Sequence, residues 1–103
     1  MKKAAEFLKK DTRKWVNNLT RIYEFEERHI RLLNLAGACW DRAEEIRKIL
    51  NTEGYQVTDR FGQQKAHPLL AEERAQAKLF AQLVRELGLD LEEVEVPRLP
   101  RRG

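Results

Sequence analysis

Residues 25–54, FEERHIRLLNLAGACWDRAEEIRKILNTEG, decide how this chain is built. Phe25, His29, Leu32, Ala36, Cys39, Ala43, Ile46 and Leu50 recur at alternating spacings of four and three. On an α-helix these positions fall on one seam, the a/d stripe of a heptad pattern. Ile30, Leu33, Gly37 and Trp40 form a second stripe on another face of the first half. A helix that is apolar on two faces must be covered on two sides. Neighbouring helices of the same chain can cover one side; the other, centred on Leu33, Gly37 and Trp40, is read as an interface with a second copy. Asn51-Thr52-Glu53-Gly54 closes the helix, with Gly54 in the left-handed position that favours glycine.

Upstream, Trp15, Val16, Leu19, Ile22 and Tyr23 fall three and four apart and predict a first helix over residues 12–23. Asp11 or Thr12 reads as its N-cap, because a short side-chain oxygen can accept a free N–H of the next turn. A break is expected near Tyr23–Glu26. Residues 1–11 read as a basic arm or short helix in which Phe7 and Leu8 offer little to bury. Downstream the period changes. Tyr55 and Val57 favour strands, and Asp59-Arg60-Phe61-Gly62 reads as a turn. The expectation is a hairpin over residues 55–66, with strands at 55–58 and 63–66. Pro68 suits a first helical position, and Glu72 and Glu73 follow near the positive end of that helix. Leu69, Gln76, Phe80, Leu83 and Leu87 make one stripe, with Leu70, Ala77 and Val84 beside it, and Gly88 ends the helix. Residues 12–89 thus form one helical core. Residues 90–103 read as an acidic, then basic, flexible tail.

Composition places the chain among small, heavily charged globular proteins. It has 103 residues, 36% of them charged and 42% hydrophobic. A domain of this size buries only about 60–70% of the surface its unfolded form exposes, so association with other copies would stabilise it. The net charge is +3, but its distribution is uneven. Residues 1–14 hold six cations, Lys2, Lys3, Lys9, Lys10, Arg13 and Lys14, against two carboxylates. Residues 15–89 hold eleven of each sign. Asp90, Glu92, Glu93 and Glu95 are followed by Arg98, Arg101 and Arg102. Positive charge concentrated at the two chain ends suits an anionic polymer. No apolar run approaches the roughly 18 residues of a membrane span. The single cysteine excludes an intramolecular disulfide and fits a reducing cytosol. A soluble, cytoplasmic protein is expected.

Catalytic chemistry finds little support. His29 sits on the heptad seam as a packed or interfacial polar residue. His67, before Pro68, reads as a cap or hairpin-end residue. Cys39 reads as a small core residue with no basic group to activate it. No ligand set has metal spacing, and no phosphate loop or Gly-rich nucleotide fingerprint occurs, so no cofactor is expected. Glu26–Glu27, Glu44–Glu45 and Glu72–Glu73 are adjacent carboxylates that point apart on a helix and read as solvated faces. Trp15 and Trp40 read as core or subunit-contact anchors.

The ordered set over residues 54–89 carries a resemblance. Gly54 follows a long helix; the Val57-Thr58-Asp59-Arg60-Phe61-Gly62 turn comes next; Lys65 precedes His67-Pro68; Arg74 lies inside the next helix; and Arg85-Glu86-Leu87-Gly88-Leu89 closes it. This set resembles phage terminase small subunits with a helical core, a short hairpin and a returning helix. With the preceding helix pair, the likeness covers roughly three quarters of the chain. The resemblance implies a non-enzymatic protein that assembles into a ring, binds double-stranded DNA at the viral packaging site, and regulates the terminase large subunit, which holds the ATPase and nuclease.

The expected fold is therefore mainly α: two antiparallel N-terminal helices, the second long, a short β-hairpin and a returning C-terminal helix, in a ring-type homo-oligomer of more than about four copies. Leu33, Gly37 and Trp40 would line the contact between copies. The two cationic ends, Lys2, Lys3, Lys9, Lys10, Arg13 and Lys14, and Arg98, Arg101 and Arg102, would meet DNA or the large subunit. The rival expectation is a helical protein–protein adaptor or assembly factor without DNA binding.

Overall fold

A computed structural model describes residues 3–89. Three helices and one hairpin follow in order: α1 (Lys10–Ile22), α2 (Glu27–Glu53), β1 (Gln56–Thr58), β2 (Gln64–Ala66) and α3 (Leu69–Glu86). The acidic and basic segment expected over residues 90–103 lies outside the described residues, as do Lys2, Arg98, Arg101 and Arg102.

The heptad seam and the second stripe both turn inward on α2. Leu33, Ala36, Cys39, Trp40, Ala43, Ile46 and Leu50 are all buried. α3 packs along α2 and supplies Phe80, Leu83 and Val84; α1 supplies Trp15, Val16 and Leu19. Trp15, Trp40 and Phe80 meet in the middle of the core, with ring centroids 5.7 Å apart for Trp15–Phe80 and 5.3 Å for Trp40–Phe80. Both flanking helices run back against α2. Near the start of α1, Thr12 meets Asp41 in the middle of α2, whereas α1 ends within five residues of the start of α2. On α3, Glu73 near the start pairs with Arg47, and Phe80 further along meets Trp40.

The face of α2 assigned to a second copy is covered by the chain itself. Leu33 is 0% and Trp40 4% exposed, and Gly37 is buried beneath the segment before α1. A Cβ placed on Gly37 would lie 2.9 Å from Thr12 Cγ2 and 3.2 Å from Leu8 Cδ1. The expectation that Leu33, Gly37 and Trp40 line an oligomer contact is therefore corrected: these residues are interior. The physical reason is Leu8. Judged by local pattern it has little to bury against, but at 3% exposure it plugs the groove that Gly37 leaves open.

Residues 3–9 are consequently part of the fold and not a free arm. Two asparagines fasten them. Asn17 Oδ1 accepts the Lys3 and Ala4 N–H groups at 3.0 and 3.1 Å. Asn34 Oδ1 accepts the Ala5 N–H at 2.8 Å while its Nδ2 donates to the Lys3 carbonyl at 3.1 Å. The helix start also differs from expectation. Lys9 stands at the N-cap without a side-chain cap bond, and neither Asp11 nor Thr12 plays that part. Instead Asp41 reaches across from α2, accepting the Lys9 N–H at 2.8 Å and the Thr12 hydroxyl proton.

The remaining connections follow the sequence closely. The α1–α2 junction falls at residues 23–26, where Glu26 and His29 form a reciprocal capping box. Gly54 ends α2 at φ +86°. β1 and β2 pair antiparallel, Gln56 with Ala66, Val57 with Lys65 and Thr58 with Gln64.

Candidate nucleic-acid interface

α1 gathers the described cations of the N-terminal cluster. Lys10 and Lys14 are one helical turn apart and exposed; Arg21 continues the same face two turns on, where it bonds the Asn18 side chain. Lys9 and Arg13 flank this face, both half-buried, and Arg13 Nη1 donates to the Glu6 carbonyl at 3.2 Å. The asparagine clasp returns the chain so that Lys3 lies against α1 through its backbone. Of the nine residues expected to meet DNA, Lys9, Lys10, Arg13 and Lys14 lie around the first turns of α1, and Lys3 is fastened by its backbone to Asn17, about two turns further along the same helix. The other four lie outside the described residues.

Electrostatics explain why such a cluster needs help. The N-terminus of a helix carries about half a positive charge, and cations there are destabilising. Lys9 and Lys10 sit on that pole. The Asp41 carboxylate, 8% exposed, accepts from the Lys9 N–H and from Thr12 at the same place. Its negative charge offsets the pole from below and leaves the outer surface to the lysines. Asp11 adds a carboxylate in the first turn. Sequence reasoning missed Asp41, Asn17 and Asn34, because their partners lie 13 to 32 residues away.

The second fastening point joins α2, α3 and the hairpin. Arg47 pairs with Glu73 at 2.7 Å, with side chains 11% and 4% exposed. Arg47 Nη1 also donates to the Tyr55 hydroxyl at 2.9 Å. Glu73 therefore departs from the expected solvated face, although its neighbour Glu72 does point away, to Arg42 at 3.2 Å. His67 is the cap that its position suggests. Its Nδ1 accepts the Leu69 N–H at 3.1 Å, so Nε2 carries the proton and donates to Glu53 Oε1 at 3.0 Å. His29 Nδ1 likewise accepts the Glu26 N–H, at 3.3 Å. Burial pushes the Cys39 thiol above its ordinary value, which keeps it protonated and unreactive at neutral pH.

The hairpin tip is built as a type I turn followed by a left-handed glycine. The Gly62 N–H donates to the Asp59 carbonyl at 3.0 Å, and the Asp59 N–H donates to the Gln63 carbonyl at 2.9 Å. Asp59 Oδ1 accepts the Phe61 and Gln63 N–H groups at 2.8 and 2.9 Å, and Oδ2 lies 3.5 Å from Lys65 Nζ. The Gln63 N–H foremost, aided by the Phe61 N–H and the Lys65 ammonium, holds the Asp59 carboxyl below its usual range. Phe61 projects from the tip 75% exposed, with the Arg60 guanidinium 5.0 Å from its ring centre.

Among the described residues, no group of three or more His, Cys, Asp or Glu is placed to hold a metal ion, and no helix is long and apolar enough to cross a membrane. No known protein family, curated protein or solved structure matches the chain.

Proposed function

We propose that this protein is a DNA-packaging adaptor of the terminase small-subunit type. It binds double-stranded DNA and presents it to a large subunit, and it works as a ring-type homo-oligomer. The observation that carries the DNA role is the set of Lys9, Lys10, Arg13 and Lys14 around the start of α1, with Lys3 held further along the same helix by Asn17, on a helix pole that Asp41 offsets from beneath. A phosphate approaching this surface meets the side-chain cations, while the helix end beneath them is already offset by Asp41. The ordered motif from Gly54 to Leu89 supports the packaging assignment through its likeness to the terminase subunits. The role is non-enzymatic, and the setting is the cytoplasm of a bacterial host.

Binding of a duplex is tested by titrating labelled DNA over a range of salt. Removing Lys2, Lys3, Lys9 and Lys10 together lowers affinity and flattens the salt dependence by about 0.9 in slope for each phosphate that is no longer neutralised. A quadruple variant that binds with unchanged affinity and slope overturns the assignment of DNA to this end. The second reading, a protein–protein adaptor without DNA, is favoured by the exposed Phe7, Ile22 and Phe61. It becomes the better one when the wild-type protein shows no salt-sensitive duplex binding.

A further inference from the structure

From Arg74 to Arg85, α3 carries three cations and no carboxylate. Arg74, Lys78 and Arg85 fall within about 40° of one another around the helix axis and span about 16 Å along it. All three are exposed, on the side away from the buried Glu73, Phe80 and Val84. The residues between and beside them on this face, Ala71, Ala75, Ala81 and Gln82, are small or uncharged and also exposed.

The other described arginines are engaged. Arg28 pairs with Glu26, Arg31 with Glu27, Arg42 with Glu72 and Arg47 with Glu73. Arg13 donates to the Glu6 carbonyl, Arg21 to Asn18, and Arg60 lies over the Phe61 ring. Among the described arginines, the side chains of Arg74 and Arg85 alone make no hydrogen bond, ion pair or ring contact, and that of Lys78 between them makes none either. Like charges aligned on one face without carboxylates repel one another, so the face costs stability in the free protein. An external polyanion removes that cost.

We propose that the outer face of α3 is a second contact surface for duplex DNA, with Arg74, Lys78 and Arg85 on the phosphates. The proposal rests on the nucleic-acid reading above and adds a binding face in the middle of the chain. Two features favour DNA over an acidic protein. The face offers no buried aromatic or aliphatic anchor of the kind protein interfaces are built around. Its alanines make this side of the helix narrower than the usual 10–12 Å or so, so the backbone can come close to a groove about 12 Å wide.

The triple variant Arg74→Ala, Lys78→Ala and Arg85→Ala tests this, since alanine preserves helix propensity. Circular dichroism and thermal melting verify the fold, and duplex binding is measured against salt beside the N-terminal quadruple variant. The expected result is a loss of affinity of about tenfold or more at low salt, with the slope lowered by about two to three. Arg74→Lys with Arg85→Lys retains most of the binding, because the charge remains. A folded triple variant with wild-type affinity and slope overturns the proposal while leaving DNA binding by the N-terminal cluster in place. Absence of duplex binding by the wild-type protein overturns both. Weakened binding to polyglutamate with duplex binding unchanged also overturns it, in favour of an acidic protein partner.

Discussion

Asp41 joins parts of the chain that the sequence keeps far apart. From the middle of α2 it accepts two hydrogen bonds at the head of α1, one from the Lys9 N–H and one from the Thr12 hydroxyl. Hydrogen bonds to a charged acceptor contribute about 1.5–3 kcal/mol each when buried. Asp41→Asn keeps the shape but removes the charge, and one of its two side-chain atoms becomes a donor facing other donors. The variant is expected to lose about 2 kcal/mol or more of stability, read as a lower midpoint in urea denaturation; an unchanged midpoint would show that the carboxylate is dispensable there. Residues of this kind are not legible in the sequence. The roles of Cys39 as a core residue and of His67 as a cap can be read locally, because the heptad seam and the following Pro68 announce them. Asp41, Asn17, Asn34 and Leu8 carry no such mark, since each acts on a segment brought near only by folding.

At the scale of the elements, periodicity is a good guide. The long helix, the break at residues 23–26, the hairpin and the returning helix all stand within a few residues of expectation. The hairpin shows why turn chemistry reads so well. Gly62 holds φ +81°, and a Cβ there would meet nothing within 4 Å, so any penalty for substitution comes from the backbone alone. Gly62→Val is expected to cost about 1 kcal/mol or more. Gly62→Asn is expected to cost less, because asparagine tolerates the left-handed region. Equal melting temperatures for wild type and the valine variant would contradict the turn. Asp59 adds a pH dependence of known sign. Its folded value lies below the ordinary 3.8, so its contribution is complete above that value and disappears as pH falls through the lower folded value. The protection of the Phe61 and Gln63 amides, measured as exchange relative to the intrinsic rate at each pH, is therefore expected to fall on acidification below 3.8, and Asp59→Asn to abolish that step. The Arg47–Glu73 pair escapes the same reading for the opposite reason: on a helix wheel Glu73 looks like any surface acid until α2 lies beside it.

The whole molecule poses the question of assembly afresh. In the sequence, the apolar face around Leu33, Gly37 and Trp40 is the reason to expect a neighbour, yet Leu8, Thr12 and the Trp15–Trp40–Phe80 cluster cover it within one chain. What argues for association is instead size and surface. A core this small leaves the domain marginal, and Ile22, Leu35, Tyr55 and Phe61 remain 46% to 75% exposed. Two kinds of measurement then separate folding from assembly. Trp40→Ala removes a side chain that is 4% exposed and is expected to cost about 3–5 kcal/mol, lowering the melting temperature at every protein concentration. The ring proposal predicts that the wild-type chain scatters light as a defined species of more than about four copies, related by a closed rotation. A clean monomer at micromolar concentration would sink it. A Trp40→Ala protein that kept its melting temperature and changed only in oligomeric mass would return this face to the surface and overturn the packing of Leu8 on Gly37. The expected opposite, a destabilised chain whose remaining folded fraction still assembles, puts the contacts between copies on the outer surfaces of the helices and the hairpin.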